Sequence, residues 1–221
     1  MKYTKEYLDH LQNCLHTAVI CDILDDLGYR NQAMGGDIFP LDVDYSLVGC
    51  AKTILCHDVY GMPESPYETE IEAVDTIKPG ELVVVCTNKS TSNGFWGELM
   101  ATAAIARGGR GVIVDGAVRD IRQLRELGDS FKAFAAKRNP LDSKGRCLVS
   151  GYDCPIECGG VPVTPGDMIF ADIDGIVVIP QNLADTVFEK ALEKVRGENL
   201  VRDELKKGVL LKEAFEKYKI L

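Results

Sequence analysis

No run of apolar residues in this 221-residue chain approaches the length a bilayer-spanning helix needs, so no helical membrane anchor is expected. The first residues, Met1-Lys2-Tyr3-Thr4-Lys5-Glu6, lack the apolar centre of a signal peptide, and a cytoplasmic location is the expectation. Positive charge is scarce as well. With 25 Lys and Arg against 34 Asp and Glu, the net charge is −9, which argues against nucleic acid or an anionic membrane as a partner held by bulk attraction. Only three histidines are present, too scattered to complete a zinc site with Cys154 and Cys158. Walker loops, serine nucleophile elbows and HExxH spacings are missing, and no low-complexity linker divides the chain. A single domain over 1–221 is therefore expected, with a helical tail over 182–221.

What is present is an ordinary globular composition, 46% hydrophobic and 27% charged, with eight cysteines mostly inside apolar runs. In a reducing compartment such cysteines behave as small buried hydrophobes. The first quarter reads as helical: one segment over Tyr7 to Leu15, then Ala18 to Leu27 with Thr17 as N-cap and Gly28 as the stop. Strand signals follow from Ser46 to Cys56. The segment His57 to Tyr67, with Pro63 and Pro66, reads as an exposed loop, and a helix is expected from Glu68 to Ile77. Glu81 to Cys86 reads as a buried strand, and a polar loop, Thr87 to Gly94, precedes the alanine-rich helix that opens near Gly97 and ends at Gly108-Gly109.

The most informative stretch is Gly108-Gly109-Arg110-Gly111-Val112-Ile113-Val114-Asp115-Gly116-Ala117-Val118-Arg119-Asp120. Its apolar run reads as a parallel strand buried on both faces and ending at Asp115-Gly116, followed by a helix from Ile121 to Leu127. Parallel topology places the Gly97 loop and the Arg119-Asp120 loop on the same edge of the sheet, where open α/β sheets bind ligands. Together they offer a cation, helix amides and two carboxylates. A guanidinium can grip a carboxylate, and a lone carboxylate can hold a hard metal. Each feature also has a plain structural account. Gly97 can simply start a helix, Asp120 can be an N-cap worth about 1 kcal/mol, and Asp115 is expected to shape its turn. His57 beside Asp58 reads as a surface residue. Past Thr164-Pro165-Gly166-Asp167, strands are expected at Met168 to Ala171 and Gly175 to Ile179. In the tail, Val187, Ala191, Val195, Glu198, Arg202 and Leu205 share a helical stripe. There Glu198 and Arg202 form either an i,i+4 ion pair or, for Glu198, an acid lent to a neighbouring cleft.

Gly97-Glu98-Leu99, the run Arg110 to Asp120 and Val163-Thr164-Pro165-Gly166-Asp167 together resemble the family of 4-hydroxy-4-methyl-2-oxoglutarate aldolase, 4-carboxy-4-hydroxy-2-oxoadipate aldolase and the regulator of ribonuclease activity A. The likeness runs from about Thr17 onward. It implies a swivelling-domain type of β/β/α sandwich with N-terminal helices and a C-terminal helical tail, assembled as a homotrimer or a hexamer of paired trimers. It further implies a carbon–carbon lyase, a class II pyruvate aldolase with oxaloacetate decarboxylase side activity. The position matching Asp120 would hold a divalent metal (Mg²⁺ or Mn²⁺), with water-mediated help from Glu98. Arg119 and the backbone of Gly97, Glu98, Leu99 and Met100 would grip the 2-oxo acid substrate, and Glu198 would complete a neighbouring subunit's site. The aldolase pattern often has Asp where Glu98 stands, and the segment 57–70 differs from the aldolase versions. The other branch of the family implies a non-enzymatic regulator that binds a ribonuclease or helicase. That branch tends to lose the acid after the arginine and the C-terminal carboxylate, both of which this chain keeps. A methyltransferase reading lacks a glycine-rich cofactor loop to support it.

Overall fold

The computed structural model describes residues 3–35 and 37–220. In chain order its elements are α1 (Lys5–Cys14), α2 (Thr17–Asp26), β1 (Phe39–Pro40), β2 (Leu47–Asp58), α3 (Glu68–Asp75), β3 (Glu81–Cys86), β4 (Gly94–Trp96), α4 (Glu98–Ala106), β5 (Gly111–Val118) and α5 (Ile121–Glu126). The second half holds β6 (Lys132–Arg138), β7 (Cys147–Tyr152), β8 (Ile156–Cys158), β9 (Val161–Val163), β10 (Met168–Asp172), β11 (Gly175–Ile179), α6 (Ala184–Lys206) and α7 (Leu211–Tyr218). The main sheet runs β1-β6-β5-β3-β2-β10-β11, with β4 alongside β5 and β7 alongside β2, while β8 and β9 form a separate hairpin. Its centre, β6, β5, β3 and β2, is parallel, whereas β10, β11, β7 and β1 join antiparallel.

Strand periodicity explains how one sheet serves two cores. On β10 and β11, Met168, Phe170, Val177 and Ile179 pack with Leu8, Leu11, Ile20, Leu24 and Phe188 of the N-terminal and C-terminal helices. The alternate residues Ile169, Ala171, Ile176 and Val178 join the larger core on the opposite face, with Val83, Val85, Trp96 and Phe134. This is the expected β/β/α sandwich with helical ends. All eight residues of β5 are buried, so its valines each contribute about 1.5–3 kcal/mol by leaving water.

Several local expectations need correction. Thr17 is not the N-cap of α2: His16 takes that role, its Nδ1 accepting from the Val19 amide at 3.3 Å. Thr17 instead donates its amide (2.8 Å) and its hydroxyl (2.6 Å) to the Asp172 carboxylate, tying α2 to the end of β10. Strand β2 continues past Cys56 through His57 and Asp58, because β7 pairs with its far end. Gly94 to Trp96, to which no strand was assigned, form a short strand, and α4 follows with Gly97 as its cap residue, where the helix was expected to open. Strand β5 does not stop at Asp115-Gly116. A bulge between Val114 and Ala117 absorbs that dipeptide and the strand runs on to Val118. Asp115 shapes no turn; it is buried and accepts from the Thr87 amide at 2.5 Å and the Thr87 hydroxyl at 2.8 Å.

Candidate active site

Strand β4 lies parallel to the end of β5, with Gly94 opposite Ala117 and Trp96 opposite Val118. The Arg119 amide donates to the Trp96 carbonyl at 2.9 Å, so the two loops leave the sheet as a fixed pair. Trp96 is fully buried and stacks on Phe131 with ring centroids 6.0 Å apart. The next residue, Gly97, leaves room for the two side chains that form the site, and a larger residue here would have to push them aside. A Cβ on Gly97 would stand 2.5 Å from Asp120 Oδ2 and 3.1 Å from Arg119 Nε.

Asp120 sits at the start of α5 but does not cap it. Its backbone is left-handed (φ 56°, ψ 38°) and its side chain makes no capping bond to α5. The carboxylate turns instead toward the neighbouring helix, where Oδ2 accepts from the Glu98 amide at 3.1 Å. A non-glycine residue at positive φ costs about 1–3 kcal/mol and persists where its surroundings impose it. The amino end of α4 thus presents its unpaired amides and positive dipole end beside the Asp120 carboxylate and the Arg119 guanidinium. Glu98 Oε1 accepts from the Thr102 hydroxyl at 2.6 Å, which holds its carboxylate at the same helix end. Leu99 is exposed, and Met100 is half-buried against the main core.

Arg119 has an acidic partner on each side. Its Nε lies 3.8 Å from Asp120 Oδ2, and one terminal nitrogen lies 2.9 Å from Asp142 Oδ1. The side chain keeps 34% of its surface open, so part of its five-donor fork remains free. Asp142 receives the Tyr67 hydroxyl on its other oxygen and the Ser143 amide at 2.9 Å. Burial pushes the Asp142 carboxyl up, but Tyr67, the Arg119 charge and the amides of Ser143 and Lys144 outweigh it and hold it below the usual range. Tyr67 is correspondingly pushed up to about 12, chiefly by its bond to Asp142 and then by burial. Behind this pair Glu70 accepts from the Ser143 hydroxyl at 3.2 Å. Its carboxyl is pushed up to about 7, first by burial; Ser143 and Arg119 pull it down and Asp142 pushes it further up. The loop carrying Asp142 is itself tied down: the Gly94 amide donates to the Leu141 carbonyl at 2.8 Å, and Asn139 Nδ2 donates to the Thr91 carbonyl at 2.8 Å.

The structure therefore brings together Gly97, Glu98, Arg119 and Asp120 as expected, with Leu99 and Met100 on the same first turn of α4. It does not bring Glu198 to them. Glu198 lies on α6, half-buried, with Oε2 3.9 Å from the His16 ring, and Arg202 bonds Asn199 rather than forming the i,i+4 pair. Tyr67, Glu70, Asp142 and Ser143 were not singled out from the sequence. The unusual segment 57–70 was the one signal that pointed toward two of them.

The parallel strands of this mixed α/β sandwich thus deliver a guanidinium, a carboxylate and a helix amino end to one edge of the sheet. The chain belongs to the RraA-like family, described as Aldolase/RraA, which it matches over residues 17–178. It is 32% identical over 180 residues to a Halalkalibacterium halodurans protein provisionally named 4-hydroxy-4-methyl-2-oxoglutarate aldolase, covering 80% of this chain and 79% of that one. It is 28% identical over 213 residues to the protein DlpA of Legionella pneumophila, a match that takes in 96% of this chain but only 33% of DlpA. Among solved structures it resembles RraAS2 of Streptomyces coelicolor, described as an unusual member of the RNase ES inhibitor RraA protein family, with a TM-score of 0.80 and 28% identity over 92% of this chain and all of that one (100%).

Proposed function

We propose that this protein is a divalent-metal-dependent lyase that releases pyruvate from 4-hydroxy-2-oxo acids, the class that includes 4-hydroxy-4-methyl-2-oxoglutarate, and that it decarboxylates oxaloacetate as a side reaction. The observation that carries this reading is the turn of Asp120 away from its own helix, which sets a carboxylate, a partly free guanidinium and the α4 amides side by side. The donor set suits a hard cation. Asp120 and Glu98 supply only carboxylate oxygens, and among the described residues no group of three or more His, Cys, Asp or Glu is placed to ligate a metal. Mg²⁺ and Mn²⁺ accept such sparse sites, with water and substrate filling the remaining positions. Asp120 would hold the ion, with Glu98 reaching it through water. The cation would supply Lewis acidity at the substrate's keto oxygen.

The chain's own groups do the rest. The open edge of Arg119 binds the substrate carboxylate as a charge-assisted pair, and the amides of Gly97, Leu99 and Met100 orient it, while that of Glu98 holds Asp120. A water held on the Glu98 carboxylate, which Thr102 keeps in place, takes the proton from the 4-hydroxyl group. The C3–C4 bond then breaks, C4 becomes a carbonyl, and the electron pair passes to the three-carbon fragment, which gains a proton at C3 to become pyruvate. Loss of CO₂ from oxaloacetate delivers electrons to the same fragment. Glu198, which faces His16 in its own chain, is the acid we assign to a neighbouring copy's cleft in a homotrimer or hexamer. The rival reading, a regulator that binds a ribonuclease, draws on the likeness to RraAS2 and on the net charge of −9. Pyruvate release from a panel of 4-hydroxy-2-oxo acids and oxaloacetate, with Mg²⁺ and then with a chelator, separates the two. Turnover that the chelator stops supports the lyase. No metal-dependent turnover of any compound removes it.

A further inference from the structure

Resting on the lyase reading, we propose that Tyr67, Asp142 and Glu70 form a specificity arm that selects substrates whose end remote from the 2-oxo acid bears neutral hydroxyl groups rather than a second carboxylate. The arm comes from parts of the chain outside the Gly97 and Arg119 loops: Tyr67 and Glu70 from the start of α3, Asp142 and Ser143 from the loop before β7. The Arg119 guanidinium points one way to Asp120, 3.8 Å from Nε, and the other way to Asp142, 2.9 Å from a terminal nitrogen. A substrate with its 2-oxo acid end against Asp120 and the α4 amides extends its remaining carbons along the guanidinium toward Asp142 and Tyr67.

Charge decides what that end can be. Arg119 is the cation that acts on both Glu70 and Asp142, and those two carboxyls already act on each other. Arg146, the next guanidinium along, gives a terminal nitrogen to the Asp142 backbone carbonyl at 3.1 Å. A further carboxylate beside Asp142 would be a like charge next to a half-buried anion whose one close cation is shared. A hydroxyl at the same place meets no such repulsion, because it can donate to Asp142 or Glu70 and its oxygen can accept from Arg119. The loop is held by backbone bonds from Gly94 and by Asn139, so Asp142 cannot swing aside at little cost.

The test compares kcat/KM for pyruvate release, with Mg²⁺ present, from 4-hydroxy-2-oxoglutarate and from 4,5-dihydroxy-2-oxopentanoate, which differ in a terminal carboxylate against a terminal alcohol. Calorimetric affinities of 2-oxoglutarate and 5-hydroxy-2-oxopentanoate provide a readout independent of turnover. The wild-type protein is expected to favour the alcohol-ended member of each pair by about tenfold or more, the effect of one unmatched charge pair. Asp142→Asn is expected to shift both ratios toward the dicarboxylate by a similar factor, and Tyr67→Phe to do so more weakly. A wild-type preference for the dicarboxylate, or ratios that Asp142→Asn leaves unmoved, overturns the arm while leaving the lyase standing. If no compound yields pyruvate and neither mimic binds, the lyase reading falls and takes the arm with it.

Discussion

Arg110 and Arg119 bracket the same strand, β5, and have opposite fates. Arg110, at the amino end, keeps only 9% of its side chain exposed. Its Nε donates to the Val48 carbonyl at 2.5 Å, and a terminal nitrogen meets Gln12 at 3.1 Å and Asp9 at 2.9 Å. It stitches α1 to the sheet. The cavity beside it, about 450 Å³, is lined by Lys5, Asp9 and Lys132 among others. Lys5 is paired with Asp9 at 2.6 Å, and Lys132 donates to the Ser46 carbonyl at 3.0 Å. Its charges are satisfied within the chain, so the space offers a ligand little. Arg119, at the carboxyl end, is held by acids on two sides yet keeps a free edge. The number of donors already committed, rather than residue type or cavity size, separates the structural arginine from the one proposed to bind substrate.

Substitutions can break that contrast. The largest effect is expected at Asp120. Asp120→Asn should cut metal-dependent pyruvate release by about 10³-fold or more while the melting temperature changes little, since the side chain caps no part of α5. Retained activity would remove Asp120 as the metal anchor. Arg110→Met removes the guanidinium bonds to the Val48 carbonyl and to Gln12 and should lower unfolding free energy by about 3 kcal/mol in urea titrations, with the activity of the folded fraction unchanged. Arg119→Lys should do the reverse: stability near wild type, but kcat/KM down about 10²-fold because the two-sided fork is lost. If both arginine variants lose stability and activity in parallel, the contrast fails.

The smallest expected effect is a pH dependence at Glu70. Its carboxyl rises from 4.5 to about 7 on folding, so the folded protein binds the extra proton more tightly than the unfolded chain does. Above pH about 7 both states are ionised and the full penalty stands; below the unfolded value it vanishes. Stability should therefore fall as pH rises from 4.5 toward 7. Glu70→Gln should remove about 2 kcal/mol of that fall, allowing for a half-buried site. An unchanged pH profile in the variant would show that Glu70 does not titrate in this window.

The apolar strands were easiest to foresee. Strands β3 and β11 match their expected bounds because each is an unbroken apolar run between turn residues. Strands β6, β7, β8 and β9 were not assigned in advance. Lys132 to Arg138 mixes buried Phe134 with exposed charges, and β8 and β9 have three residues each. At the site, Gly97, Arg119 and Asp120 were legible because parallel topology alone places two neighbouring loops on one edge. The capping account of Asp120 was wrong because a tertiary contact, the Glu98 amide, competed with the local one. Tyr67 and Glu70 stand one turn apart at the start of α3, but Asp142 lies 75 residues beyond Tyr67, and no one-dimensional pattern links the two segments.

Trp96 is the sole tryptophan of the chain, and its own carbonyl receives the Arg119 amide one residue before Gly97. Its indole N–H is buried without a hydrogen-bond partner among the described residues, and its ring lies flat on Phe131. The protein thus contains a single indole fluorophore, whose residue is joined by one backbone hydrogen bond to the residue that would grip an incoming anion. Emission from that indole is therefore expected to shift when a ligand fills the cleft, so that a titration followed by light can be run on the unmodified protein.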